Sequence, residues 1–219
     1  LASRTQSYDH NSAILRTRLE SRDGAVVEIV DFAPRFENQG RMFRPAALVR
    51  RFRVLAGTPR MRITLTPETD WGGRKLKPVR GVNHVRFIDE ELGFRVTTDA
   101  PVSYILSGTS FILDREAAFI LGADESLSDH PEVIARDWEE RTRLYWKRWA
   151  RSLAVPFEWQ QAVIRAAITL KLCVYEETGG IVAALTTSVP EHEGSERNWD
   201  YRYCWIRDAY FTVTALNRL

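Results

Sequence analysis

With 219 residues, 44% of them hydrophobic and 27% charged, the chain has enough apolar material to bury a core, which excludes a disordered tract. A formal net charge of +2 is too small for a nucleic-acid footprint, and no run of about 18 apolar residues occurs, so neither nucleic acid nor a membrane is expected as a partner. Cys173 and Cys204 have no metal-ligand spacing, so free, buried thiols in a reducing, cytoplasmic compartment are the expectation.

In chain order, the first half reads as strands. Residues 13–20 and 25–32 are β-rich runs around Asp23-Gly24, a strong hairpin signal. Residues 48–55 and 61–66 suggest a second pair around Ala56-Gly57-Thr58-Pro59. Met61, Ile63 and Leu65 alternate with polar residues, as one face of a strand requires. Residues 85–88, 94–98, 102–106, 109–113 and 117–121 continue the pattern, giving about nine short strands, the signature of an antiparallel β-sandwich. Helices within residues 45–120 would contradict that reading.

The period changes near Ser128. Residues 131–151 contain no Gly and open with Pro131 in the first turn, so they read as a helix capped by Ser128 or Asp129. A second helix is predicted over 157–176, where Trp159, Val163, Ala166, Ala167, Leu170 and Val174 recur at helical spacing, with Gly179 as its left-handed stop. A third is predicted from about Trp205. The expected organisation is a sandwich over 1–125, a helical linker over 126–155 and a helical domain from 156. Both ends of the chain read as cut.

The densest chemistry lies between the last two helices. Residues 197–208 hold four aromatics, three Arg and two Asp in twelve positions. A solvated loop does not need so many rings, and a buried core does not hold so many charges unpaired. Rings that stack on C–H faces, beside groups that bridge vicinal hydroxyls, suit a pyranose. The competing reading is local: Arg207 and Asp208 knit the loop to the helix start, with Asp208 favoured by the helix dipole. His84, His130 and His192 have no ligand-spaced partners, His10 falls in a loop, and no metal or cofactor is expected. Glu139-Glu140 reads as a solvated helix face or a partner of Arg143. Gly72-Gly73 and Gly179-Gly180 read as turns rather than phosphate cradles.

The segment Arg197-Asn198-Trp199-Asp200-Tyr201-Arg202-Tyr203-Cys204-Trp205-Ile206-Arg207-Asp208-Ala209 resembles the hallmark stretch of glycoside hydrolase family 15, the glucoamylases and their bacterial relatives. The resemblance extends through Leu170-Lys171-Leu172, residues 178–184 and residues 186–191, and upstream to residues 13–17 and 30–34. Family members usually carry Pro where Leu185 stands. The resemblance implies a β-sandwich joined by a helical linker to the first helices of an (α/α)6 barrel. It implies exo-acting, inverting hydrolysis of an α-linked glucose oligosaccharide or disaccharide. Carried over by position, Trp205, Arg207 and Asp208 line the glucose pocket, and Tyr201 faces it. The general acid and base are both Glu; none follows Glu196, so both are expected beyond Leu219 and the chain alone is expected to be inactive. An α,α-trehalase of the same family, a non-catalytic carbohydrate-binding protein and a purely structural module are the alternatives.

Overall fold

The computed structural model describes residues 1–69, 72–89, 93–187 and 190–219. Its first elements are β1 (Ser3–Tyr8), β2 (Leu15–Glu20), β3 (Val26–Phe32), β4 (Phe36–Asn38), β5 (Arg41–Phe43), β6 (Leu48–Ala56) and β7 (Arg60–Met61). Next come β8 (Glu68–Thr69), β9 (Arg74–Lys75), β10 (Pro78–Arg80), β11 (His84–Ile88) and β12 (Gly93–Thr98). There follow α1 (Val102–Ser107), β13 (Phe111–Ile112), β14 (Ala117–Gly122), α2 (Pro131–Arg151), α3 (Gln160–Leu172) and α4 (Ile206–Asn217). The chain divides into two compact units, Leu1–Trp146 and Lys147–Leu219.

The first unit is built on an eight-stranded antiparallel sheet in the order β1-β2-β3-β6-β14-β12-β11-β10. The hairpin expected at Asp23-Gly24 joins β2 to β3, and Gly24 takes the left-handed backbone that the turn needs (φ 80°). Successive residues of β14 feed opposite cores, because strand side chains alternate. Ala117 and Phe119 join Val27, Phe52, Val85, Phe87 and Val96 on one face. Ala118 and Ile120 join Ile14, Val30, Phe32 and Val49 on the other, where Ile134 and Ala135 of α2 close over them. At roughly 25 cal/mol per Å2 of apolar surface, these two layers are the main source of the unit's stability.

Two expectations fail within this unit. Residues 102–106 are not a strand but most of α1, the one α-helix within 45–120 among the described residues. Val102 and Ile105, three apart, are its buried positions, and Gly108 stops it in the left-handed region (φ 65°, ψ 23°). Residues 61–66 do not pair with 48–55: β6 lies between β3 and β14, and β7 pairs with β13. The alternation there is nevertheless real, since Met61, Ile63 and Leu65 pack against the core without forming a long ladder. A helix within 45–120 contradicts an all-strand sandwich, and α1 is one; the coarser reading, an antiparallel β first half, stands as one large sheet with small two-stranded additions.

α2 begins and ends where the sequence placed it. Its inward face carries Ala135, Glu139, Thr142 and Trp146, all buried and spaced by three or four residues. Glu139 binds Arg51, Arg16 (2.9 Å) and Arg143. Arg16 also reaches Glu28 at 2.8 Å, and Arg51 reaches Glu116 at 2.7 Å. Burial pushes the Asp9 carboxyl up, but Arg16 and Arg143 outweigh it and hold it below the usual carboxylate range. Of the predicted pair, Glu140 is exposed and Glu139 is not: pairing to Arg143 holds for both, but solvation fails for Glu139 because it faces the sheet.

In the second unit, α3 is shorter than predicted at both ends. Trp159 takes a left-handed conformation (φ 61°) just before it, and Val174 leaves it to bridge Ile181. Gly179 is left-handed (φ 72°), but in a turn closed by Tyr175 and Gly180 rather than as the helix stop. The Ala183 N–H donates to the Tyr203 carbonyl at 3.1 Å, and that of Ala184 to Tyr201 at 3.4 Å, so this strand-like stretch steadies the loop before α4.

Candidate functional site

Trp205 is the last extended residue (φ −84°, ψ 124°) before α4, which places Arg207 and Asp208 in that helix's first turn. The free N–H groups and partial positive charge of a helix start favour a carboxylate there. The Trp205 indole Nε1 donates to the Asp200 carbonyl at 3.0 Å, and its ring lies edge-on to Trp199 with centroids 6.0 Å apart. Arg202 closes the loop on itself: its backbone N–H and Nε reach Asp200 Oδ1 at 3.0 and 2.9 Å, and Nη2 reaches Oδ2 at 2.6 Å. That pairing holds the Asp200 carboxyl below its ordinary value.

Trp205, Arg207 and Asp208 follow one another through this junction, and Tyr201 lies in the loop just before it. The Tyr201 hydroxyl donates to Glu191 Oε2 at 3.0 Å. This bond pushes the phenol's pKa up; burial and the nearby Asp208 charge act the same way, and Arg207 opposes them. Tyr201 thus lies in the field of both Arg207 and Asp208. Arg207 is 74% exposed and touches Asp208 at 3.3 Å, whereas the Asp208 side chain is 30% exposed. So open a pair contributes little to stability, on the order of 0–1 kcal/mol. Its donor fork and acceptor oxygens are therefore largely unspent; the rings of Tyr201 and Trp205, in the loop that leads into α4, are half-buried. Glu191, which holds Tyr201, was not among the sequence-predicted site residues; its only signal was its place in the flanking segment 186–191. Ser188 and Val189 of that segment lie outside the described residues.

Elsewhere, His84 Nδ1 meets Arg95 at 2.9 Å and Asn83 Oδ1 at 3.1 Å; burial, then the charges of Arg95 and Arg86, lower its pKa. His192 Nδ1 lies 2.9 Å from the Glu193 carbonyl within a turn, and His10 is exposed. Both cysteines are free; Cys173 is buried, but Cys204 is exposed, because the loop before α4 turns it outward. A cavity of about 610 Å3 beside Asp99, Tyr104 and Glu116 belongs to the sheet unit.

Rings beside a guanidinium and a carboxylate are the donor and acceptor set of a polyol-binding surface. Residues 159–219 match the family model described as Glycosyl hydrolases family 15. A trehalase of Thermoplasma volcanium is 28% identical over 98% of this chain and 35% of its own length. A trehalase of Thermoplasma acidophilum is 47% identical over 35% of the chain and 13% of its own, and one of Mycobacterium tuberculosis is 41% identical over 41% and 13%. Residues 159–219 are thus similar to glycosyl hydrolases of family 15, and the chain as a whole to a protein named trehalase. The chain spans about a third of the Thermoplasma volcanium protein that it matches over nearly all of its own length. No solved structure matches it.

Proposed function

We propose that the protein containing this chain is an inverting glycosidase that hydrolyses trehalose, and that Tyr201, Trp205, Arg207 and Asp208 bind one of its glucose rings. The observation that carries this reading is the similarity of 98% of the chain to a protein named trehalase. The geometry at the start of α4 supports it. Trp205 and Tyr201 offer ring surface to the C–H face of the sugar, Arg207 offers a planar donor fork and Asp208 two acceptors. Neighbouring hydroxyls both donate and accept, so the pair satisfies two of them at once. In this reading, residues 159–219 open an (α/α)6 barrel. Inversion needs a carboxylic acid to protonate the leaving oxygen and a carboxylate to activate water on the opposite face. Neither role is assigned to residues 197–208, which act by gripping hydroxyls more tightly as the ring approaches the transition state.

The test is glucose release by the full-length protein from trehalose, maltose, isomaltose and starch, with the product anomers followed by NMR in the first minutes. Trehalose should be cleaved at least about tenfold faster than maltose. Inversion at one of its two α-linked carbons should give equal α- and β-glucose. Preference for maltose or starch would return the reading to a glucoamylase-type exo-α-glucosidase, and binding without hydrolysis to a carbohydrate-binding protein.

A further inference from the structure

In the sheet unit, the fold gathers three metal-ligating side chains that are distant in sequence. Asp99 directly follows β12, His130 directly precedes α2, and Glu132 lies in the first turn of α2. One ligand atom from each lies within 4.8 Å of the other two. Asp99 Oδ1 accepts the Ala118 N–H at 2.7 Å, whereas Oδ2 is buried with no hydrogen-bond partner among the described residues. A buried carboxylate oxygen without a donor is costly and needs a counter-charge. Arg136 binds Oε1 of Glu132, which leaves Oε2 for another partner.

We propose that Asp99, His130 and Glu132 form a binding site for a divalent transition-metal ion of the zinc type. One imidazole nitrogen and two carboxylate oxygens make a borderline donor set, which suits zinc better than the oxygen-only ions magnesium and calcium. Asp99 brings a negative charge unpaired among the described residues, and Glu132, whose other oxygen holds Arg136, brings a second carboxylate oxygen. The start of α2 carries partial positive charge, so the carboxylates rather than the helix hold the cation. Tetrahedral coordination at zinc bond lengths brings ligand atoms to roughly 3.3 Å from one another. Closing from at most 4.8 Å to that spacing takes small side-chain rotations of His130, which is exposed, and Glu132, which is half-buried. The exposed His130 ring also gives the ion its way in. Bound there, the ion ties the end of β12 to the start of α2, and a fourth position remains for water. No local motif announces the site: His130 and Glu132 sit two apart, but Asp99 comes from 31 residues upstream.

The test is calorimetric titration of ZnCl2 into the EDTA-treated protein, with His130→Ala, Asp99→Asn and, as a control for the other exposed ligands, His192→Ala combined with Cys204→Ser. One equivalent should bind the parent and the control alike. Affinity should fall at least about tenfold in His130→Ala and Asp99→Asn. Zinc should raise Tm in the parent but not in His130→Ala, and a large excess of magnesium should not displace it. His130 is exposed, so its variant should fold and decides the matter if Asp99→Asn does not. Equal zinc affinity in the parent and His130→Ala, loss of the equivalent in the control variant, or displacement by magnesium would each overturn the assignment.

Discussion

Among single residues, Glu139 shows how the chain tolerates charge inside its first unit. Its side chain is 4% exposed and that of Arg51 is 7% exposed. Removing one partner of a buried pair is strongly destabilising, because the other charge stays out of water. Here each arginine keeps a second acid: Glu116 for Arg51, Asp9 and Glu28 for Arg16, Asp9 and Glu140 for Arg143. Glu139→Ala is therefore expected to cost about 3 kcal/mol, near the lower end for such a loss. In a chain of this size that lowers Tm by roughly 6–12 °C. Glu140→Ala, on the outer face, should stay within about 0.5 kcal/mol of the parent. Thermal melts of the two variants check the contrast, and equal losses would contradict the burial argument. The adjacent pair was not separable in the sequence, since a helical wheel does not say which flank of the apolar stripe meets arginines from a sheet.

At the scale of elements, what was legible follows from how local the controlling physics is. Residues 131–151 carry their own start signal and no breaker, and α2 has those bounds. Hairpin chemistry at Asp23-Gly24 likewise acts between neighbours, and the β2–β3 register bears it out. Residues 102–106 misled because Val102, Tyr104 and Leu106 alternate, whereas burial of Val102 and Ile105 against the core selects a helical turn. That choice is tertiary and leaves no mark at period two. The same element yields a prediction. Gly108 ends α1 at φ 65° with open space around its missing Cβ, so any cost of Gly108→Ala comes from the left-handed backbone rather than from a clash. The expected loss is about 1 kcal/mol. Denaturant titration measures it, and an unchanged midpoint would show that α1 adds nothing to the folded unit.

For the whole molecule, the sugar-binding reading rests on a segment whose character was legible in composition alone. Rings, arginines and aspartates crowd residues 197–208, and Tyr201 lies in the field of Arg207 and Asp208 where the loop enters α4. The division of labour within the segment was not legible. Asp200 and Arg202 spend their charges on each other, whereas Arg207 and Asp208 barely meet. Sequence spacing cannot tell a loop-closing pair from an available one, because backbone turning decides which side chains meet. If Asp208 served only the helix dipole, its removal would cost about 0.3–1 kcal/mol of stability and leave turnover per folded molecule alone. If it holds a sugar hydroxyl, loss of that charged hydrogen bond costs roughly 2–4 kcal/mol of transition-state binding. The decisive measurement is kcat/KM for trehalose together with Tm, on one preparation of full-length Asp208→Asn. The account predicts a fall in kcat/KM of roughly 30- to 1000-fold with Tm within a few degrees of the parent. Near-parental kcat/KM with a lowered Tm would contradict it.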